Sequence, residues 1–277
     1  MRATSWALAA IVAVGISSAG PAEASWRDRT VTTFEEGEAL LAAVDARHDS
    51  ISTEVVGRST QDRPITAMTI GPGTEATWRV MIIGVQHGDE VAGREAILEL
   101  VREYDANPAM LPAGVGLVLV PTMNPDGFIA GTRRNAAGLD LNRDHLYQTQ
   151  PETRAMHALQ RRTMAHLVVD CHEYGRDSSS WGAWGLYRWP TIMFGAGNLP
   201  LAAPAINAAN AALVEQARPL FADNPSAYEE YIVGGVAPHE EQRLSNLEAF
   251  DLRTGSALYG GMSLIIESGR FTHHKPP

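Results

Sequence analysis

The sequence predicts one α/β domain, a mixed and mostly parallel central β-sheet with helices on both faces. Three observations carry that expectation. Short unbroken apolar runs, Val80-Met-Ile-Ile-Gly-Val85, Val115-Gly-Leu-Val-Leu-Val120, Leu167-Val-Val169 and Leu264-Ile-Ile266, have the pattern of strands buried on both faces. Helical spacing lies between such runs, as in Ile97, Leu100, Val101 and Tyr104 after the first. No repeat or linker interrupts the alternation, and 277 residues with 45% hydrophobic content can bury one large core.

Residues 1–24 read as a secretory signal: Arg2 is the positive end, Ala7–Ile16 the apolar core and Ala22-Glu-Ala24 the cleavage site. The expected mature domain is residues 25–277, exported to the periplasm or the medium. Phe34–Arg47, with Leu40, Leu41 and Val44 on one face, predicts a surface helix. Thr53–Val56 and Ile65–Ile70 predict a hairpin at the sheet edge, closed by Gly71-Pro-Gly73. The Val80 strand leads through a turn into a helix that Asn107-Pro108 ends. Beyond the Val115 strand, residues 129–148 show charges but no period. Thr149-Gln-Pro-Glu152 reads as a capping box opening a helix to about Ala165. The Leu167 strand, a Gly/Ser/Trp-rich loop over 173–198, an alanine-rich helix near Ala202–Ala217 and the Leu264 strand, ended by Glu267-Ser-Gly269, complete the chain.

A formal charge of −10 argues against nucleic acid or an anionic membrane as the main partner. No run beyond the leader reaches membrane-spanning length. The single cysteine, Cys171, cannot form an internal disulfide.

The chemistry centres on His87-Gly-Asp-Glu90, in the turn after the Val80 strand, where open α/β sheets place ligands. His87 and Glu90 are close enough to meet one ion, and zinc accepts an imidazole with a carboxylate. A catalytic zinc needs a third protein ligand. His172 directly follows the Leu167 strand, and alternation puts it on one face with Asp170 while Cys171 points the other way. Read alone, His87 and Glu90 are solvated residues at a helix start, His172 is a core histidine and the arginines form surface salt bridges.

His87-x-x-Glu90, Asn124-Pro-Asp-Gly-Phe128, Arg133, Gly138-Leu-Asp-Leu-Asn-Arg143, His172 and Glu267 together resemble the carboxypeptidase A-like zinc peptidases over residues 54–270. The resemblance implies one zinc held by His87, Glu90 and His172, the ligand set of carboxypeptidase A. It makes Asp140 the carboxylate that orients His87 through its other ring nitrogen. Arg133 becomes the cation at the scissile carbonyl, with Arg134 the alternative if the loop shifts by one. Asn142 and Arg143 become the pair that holds the substrate's free carboxylate. Glu267 becomes the general base, with Glu173 the next candidate. The implied activity is removal of C-terminal residues from peptides.

Departures are equally specific. Asp89 stands where animal digestive members carry arginine, which resembles a bacterial branch acting on cell-wall or small peptides. Where relatives carry a mobile tyrosine this chain has Asn246 and Phe250, and the nearest tyrosine is Tyr259. Ten residues follow Glu267, fewer than relatives carry, which implies a shortened domain. Leu252, Arg253 and the Trp181–Trp189 loop are candidates for the side-chain pocket. The nearest rival is a zinc N-acyl amino acid deacylase resembling succinylglutamate desuccinylase and aspartoacylase, and a third is a secreted binding protein with a degenerate site. Neither His-Glu-x-x-His nor Gly-x-Ser-x-Gly occurs, which disfavours a zincin and a serine hydrolase.

Overall fold

The computed structural model describes residues 31–174, 192–196, 202–217, 219, 228–230 and 251–269. Its strands form one eight-stranded sheet. The predicted hairpin is β1 (Ile51–Arg58) with β2 (Pro64–Ile70), and β2 also runs antiparallel to β4 (Val115–Val120). β3 (Trp78–Ile83) lies parallel between β4 and β5 (Leu167–Tyr174), and β5 is parallel to β8 (Met262–Gly269). β6 (Ile192–Ala196) and β7 (Tyr228–Glu230) extend the sheet beyond β8, giving the order β1-β2-β4-β3-β5-β8-β6-β7. From β3 the chain passes to β4 on one side and later to β5 on the other. Such a reversal leaves a crevice at the carboxyl ends of the strands.

Side-chain alternation along the central strands decides the two faces. Val80 of β3, Leu117 and Leu119 of β4 and Leu167 and Val169 of β5 join one core. Helices α1 (Phe34–Asp45), α2 (Ala92–Ala106) and α5 (Pro204–Ala217) cover it, with Leu41, Val44, Ile97, Leu98, Val101, Leu213 and Val214 buried. Met81, Ile83, Val118, Val120 and Val168 face the other way, against Ala155, Met156 and Leu159 of α4 (Pro151–Thr163) and Leu252 of α6 (Leu252–Ser256). Helices on both faces therefore follow from the strand pattern. Among the described residues no helix is long and apolar enough to cross a membrane.

β5 and β6 both enter the stretch 173–198 that the sequence assigns to a loop, and four further boundaries differ for a local reason. β3 stops at Ile83 because Val85, β-branched and buried, takes a φ of 51°. A β-branched residue there is strained, by roughly 1–3 kcal/mol. The Asn124 N–H, donated to the Val85 carbonyl at 3.0 Å, and packing with Phe34, Val91 and Phe128 hold it. β5 and β8 run on together through their polar ends, so Glu267 lies inside β8 rather than after it. Thr149 does not cap α4, whose N-cap is Gln150. Asp144 does that work from outside, accepting the Thr149 and Gln150 N–H groups at 3.0 and 2.8 Å as well as the Thr149 and Thr153 hydroxyls. A capping box does open α1, where Thr33 and Glu36 bond each other's N–H groups.

The loop carrying His87 packs backbone to backbone on α3 (Pro125–Ala130), the helix opened by Asn124. A Cβ at Gly88 would overlap the carbonyl of Gly127, and one at Gly127 would come 2.7 Å from the Arg134 oxygen. Gly88→Ala is expected to lower unfolding stability by about 3 kcal/mol, the upper range for overpacking. Urea denaturation of the two proteins measures this; a loss below about 0.5 kcal/mol would mean that the two backbones separate freely.

Candidate active site

Three elements bring the site together. The turn after β3 supplies His87 and Glu90, β5 supplies His172, and β8 sets Glu267 opposite His172 in register. His87, Glu90 and His172 are all buried, each about 3% exposed. The Nδ1 atoms of the two histidines are 3.1 Å apart, and Glu90 reaches them with Oε1 at 2.9 Å and Oε2 at 2.8 Å.

Outer partners fix which ring nitrogen carries hydrogen. His87 Nε2 lies 3.2 Å from Asp140 Oδ1, and His172 Nε2 lies 3.0 Å from Asp170 Oδ2. A carboxylate accepts only, so each Nε2 donates and each Nδ1 turns a lone pair inward. Two lone pairs and the Glu90 carboxylate thus converge in a buried space, which demands a cation. Ligands on ~2.0–2.1 Å bonds at tetrahedral angles sit about 3.3 Å apart, close to the separations seen here. The donor set and its spacing fit zinc.

With no cation, a proton takes over. Burial alone would lower the pKa of His172, but Asp170 and Glu90 outweigh it and raise it well above the ordinary histidine value. Burial would raise Glu90, but His172 and His87 hold it below the carboxylate range. Asp140 is likewise held low against burial by His87, Arg133 and Arg143. Glu267 goes the other way: burial lifts it to about 8, aided by Glu90 and Asp170 and opposed by His172 and Arg133.

Arg133 enters the cluster. Its guanidinium lies 3.1 Å from both Glu90 Oε1 and Asp140 Oδ2, with 43% of the side chain exposed at the mouth. Arg134 turns away to the Gly138 carbonyl at 3.2 Å. Arg134 and Arg143 line one open cleft of about 380 Å³ with Leu139, Asp140 and Tyr147. Asn142 is buried; its Oδ1 accepts the Leu252 N–H at 3.0 Å and its Nδ2 is 3.4 Å from His172 Nε2, so it braces α6 against the site. Glu173 accepts the Ala92 N–H at 3.0 Å and caps α2, which has no side-chain cap of its own. Cys171 sits on the opposite face against Gly93, its thiol pushed up to about 12 by burial and Asp170. Tyr259 is bonded to His157 at 2.6 Å. Residues 1–24, Asn246, Phe250 and the Trp181–Trp189 loop lie outside the described residues, as does the Arg253 side chain.

Asp170 and Gln86 join the site without a motif of their own. The signal for Asp170 was present, since alternation put it beside His172. Gln86 is buried next to a ligand position, and its Nε2 lies 3.3 Å from Asp170 Oδ1.

Residues 37–182 match the zinc carboxypeptidase family, and the chain belongs to it. Carboxypeptidase SOL1 of Arabidopsis thaliana is 37% identical over 120 residues, which cover 36% of this chain and 24% of that protein. A metallo-carboxypeptidase of Burkholderia cenocepacia superposes with a TM-score of 0.62 at 22% identity, covering 85% of this chain and 60% of the other. A metallo-carboxypeptidase of Pseudomonas aeruginosa in complex with (2-guanidinoethylmercapto)succinic acid superposes equally, at 0.62 and 21% identity, with the same 85% and 60% coverage. These two likenesses are of fold. The chain spans less than a fifth of the length of Carboxypeptidase 2 from Trichophyton tonsurans, 18%, which it also matches.

Zinc bound there would compete with a proton for His172, whose pKa Asp170 and Glu90 raise. Its apparent affinity is therefore expected to fall up to tenfold per pH unit as pH drops through the neutral range, with about one proton released per ion. Calorimetry in buffers of different ionisation enthalpy measures this, and an affinity flat between about pH 6.5 and 8 would contradict it. His172→Ala should abolish stoichiometric binding, whereas Cys171→Ser should retain it.

Proposed function

We propose that this protein is a metallocarboxypeptidase, exported to the periplasm or medium, that hydrolyses the last peptide bond of substrates with a free terminal carboxylate. One observation carries the reading: His87, Glu90 and His172 converge on a single buried point, with Glu267 beside His172 and cationic groups at the open side. Zinc bound there would supply the Lewis acid that makes water nucleophilic near neutral pH.

The remaining roles belong to this chain's side chains. Glu267 takes the proton of the attacking water and delivers it to the leaving amine, from its place in β8 beside His172. Arg133, at the mouth between Glu90 and Asp140, faces the carbonyl oxygen and offsets the charge that develops on it. Asp140 and Asp170 keep both histidine rings in the tautomer that turns Nδ1 inward. Arg143, in the open cleft beyond Asp140, holds the terminal carboxylate, with Arg134 on the same cleft. Asn142 supports this arrangement by fixing the start of α6.

The family and the carboxypeptidase relatives support this reading over an N-acyl amino acid deacylase. A dicarboxylic acid bound to the Pseudomonas neighbour supports recognition of a carboxylate. The leader-like composition of residues 1–24 supports export.

Arg143→Ala should lower kcat/KM for a free-acid peptide by roughly 10²-fold or more. The amidated form of the same peptide should be poor for the parent and change little in the variant. Arg133→Ala should slow both. Equal cleavage of acid and amide by the parent would sink the exopeptidase reading. Glu267→Gln should keep zinc and lower kcat by ~10²–10⁴; near-normal turnover would place the base elsewhere.

A further inference from the structure

Behind the site, four side chains far apart in sequence form one unbroken line of hydrogen bonds. Gln86 Nε2 reaches Asp170, 3.3 Å from Oδ1 and 3.4 Å from Oδ2, while Gln86 Oε1 bonds His145 Nε2. His145 Nδ1 is 3.1 Å from His157 Nε2, and His157 Nδ1 is 2.6 Å from the Tyr259 hydroxyl. Gln86, His145 and His157 are each at most 1% exposed, and Tyr259 is half-buried. Three buried polar side chains in series require a partner at every atom.

Each link has one possible direction. Asp170 only accepts, so the Gln86 amide nitrogen must face it and the Gln86 oxygen must face His145. His145 then carries hydrogen on Nε2 and a lone pair on Nδ1. His157 must donate from Nε2, which leaves its Nδ1 as acceptor, and Tyr259 must donate its O–H. The Tyr259 oxygen can still accept from Arg161, 3.4 Å away. Reversing any link would set two lone pairs or two hydrogens face to face. Neutral rings suit this pattern: burial lowers His145 well below the ordinary histidine value, with His157 adding, and burial with Arg161 lowers His157 to about 4.

We propose that Tyr259, His157, His145 and Gln86 are positioning residues that pass a one-way series of donated hydrogen bonds to Asp170 and so hold His172 in its ligating orientation. The last step rests on the proposed function, since it takes His172 as a zinc ligand. The series itself does not. Through these four side chains α4, the turn after α6 and the loop after Arg143 act on the site from behind.

The test uses the zinc-loaded protein with ¹⁵N-labelled histidine and long-range ¹H–¹⁵N spectra at neutral pH, assigned with His145→Asn and His157→Asn. Both rings should be neutral with hydrogen on Nε2. Tyr259→Phe removes one hydroxyl from a half-buried ring; it should shift the signals of His145 as well as His157 and leave KM unchanged while kcat falls several-fold. Gln86→Leu, at the inner end, should weaken zinc about 10–100-fold, as loss of an outer hydrogen-bond partner does. A ring found charged or carrying hydrogen on Nδ1 would overturn the proposal. So would Tyr259→Phe moving thermal stability alone, with His145 unshifted. Failure to bind zinc would count against the proposed function, while the ring tautomers would still decide the series.

Discussion

Everything at this site depends on electrostatic convergence. Two imidazole lone pairs and a carboxylate aim at one buried point, and the fold holds them there although they repel each other. The repulsion is imposed from outside. Asp140 and Asp170 claim the far nitrogens, so neither ring can turn its hydrogen inward without losing a charge-assisted bond. A site built this way favours a positive species at its centre, a proton or a metal ion.

The same logic explains the crowd of charges around it. Arg133 bridges Glu90 and Asp140, so the half-exposed cation at the mouth is also tied to the groups that set the cluster. Glu90 accepts the Glu173 N–H at 3.1 Å through Oε2, the oxygen that meets His172. Glu173 in turn holds the first turn of α2, the helix that leaves the ligand turn. Ligand, helix start and neighbouring strand are one connected unit.

Most of the fold was legible because apolar runs and helical spacing are direct consequences of burial, and the central strands β3, β4 and β5 bury both faces. Boundaries were less so where polar residues belong to the site. Apolar character in β5 ends at Val169, yet backbone pairing with β8 continues to Tyr174, because Asp170 and His172 are buried by their partners rather than by hydrophobicity. The start of α4 was misread because Asp144, six residues from Gln150, supplies the cap through a loop without period. The candidate residues of the turn, β5 and β8 were visible as polar groups after apolar strands. His145 and His157 were not, and Tyr259 stood out only as a nearby tyrosine, since a hydrogen bond spanning 102 residues leaves no local pattern.

β5 carries four consecutive side chains with four different destinations: Asp170 to the ring of His172, Cys171 to Gly93, His172 to the ligand cluster and Glu173 to the start of α2. Alternation allows this only in one alignment against β3 and β8. A slip by a single residue would bring the thiol of Cys171 to the cluster and send an imidazole into the apolar layer under α2. The strand's alignment therefore decides which donor atoms meet at the cluster, since a sulfur in place of a ring nitrogen would favour softer ions.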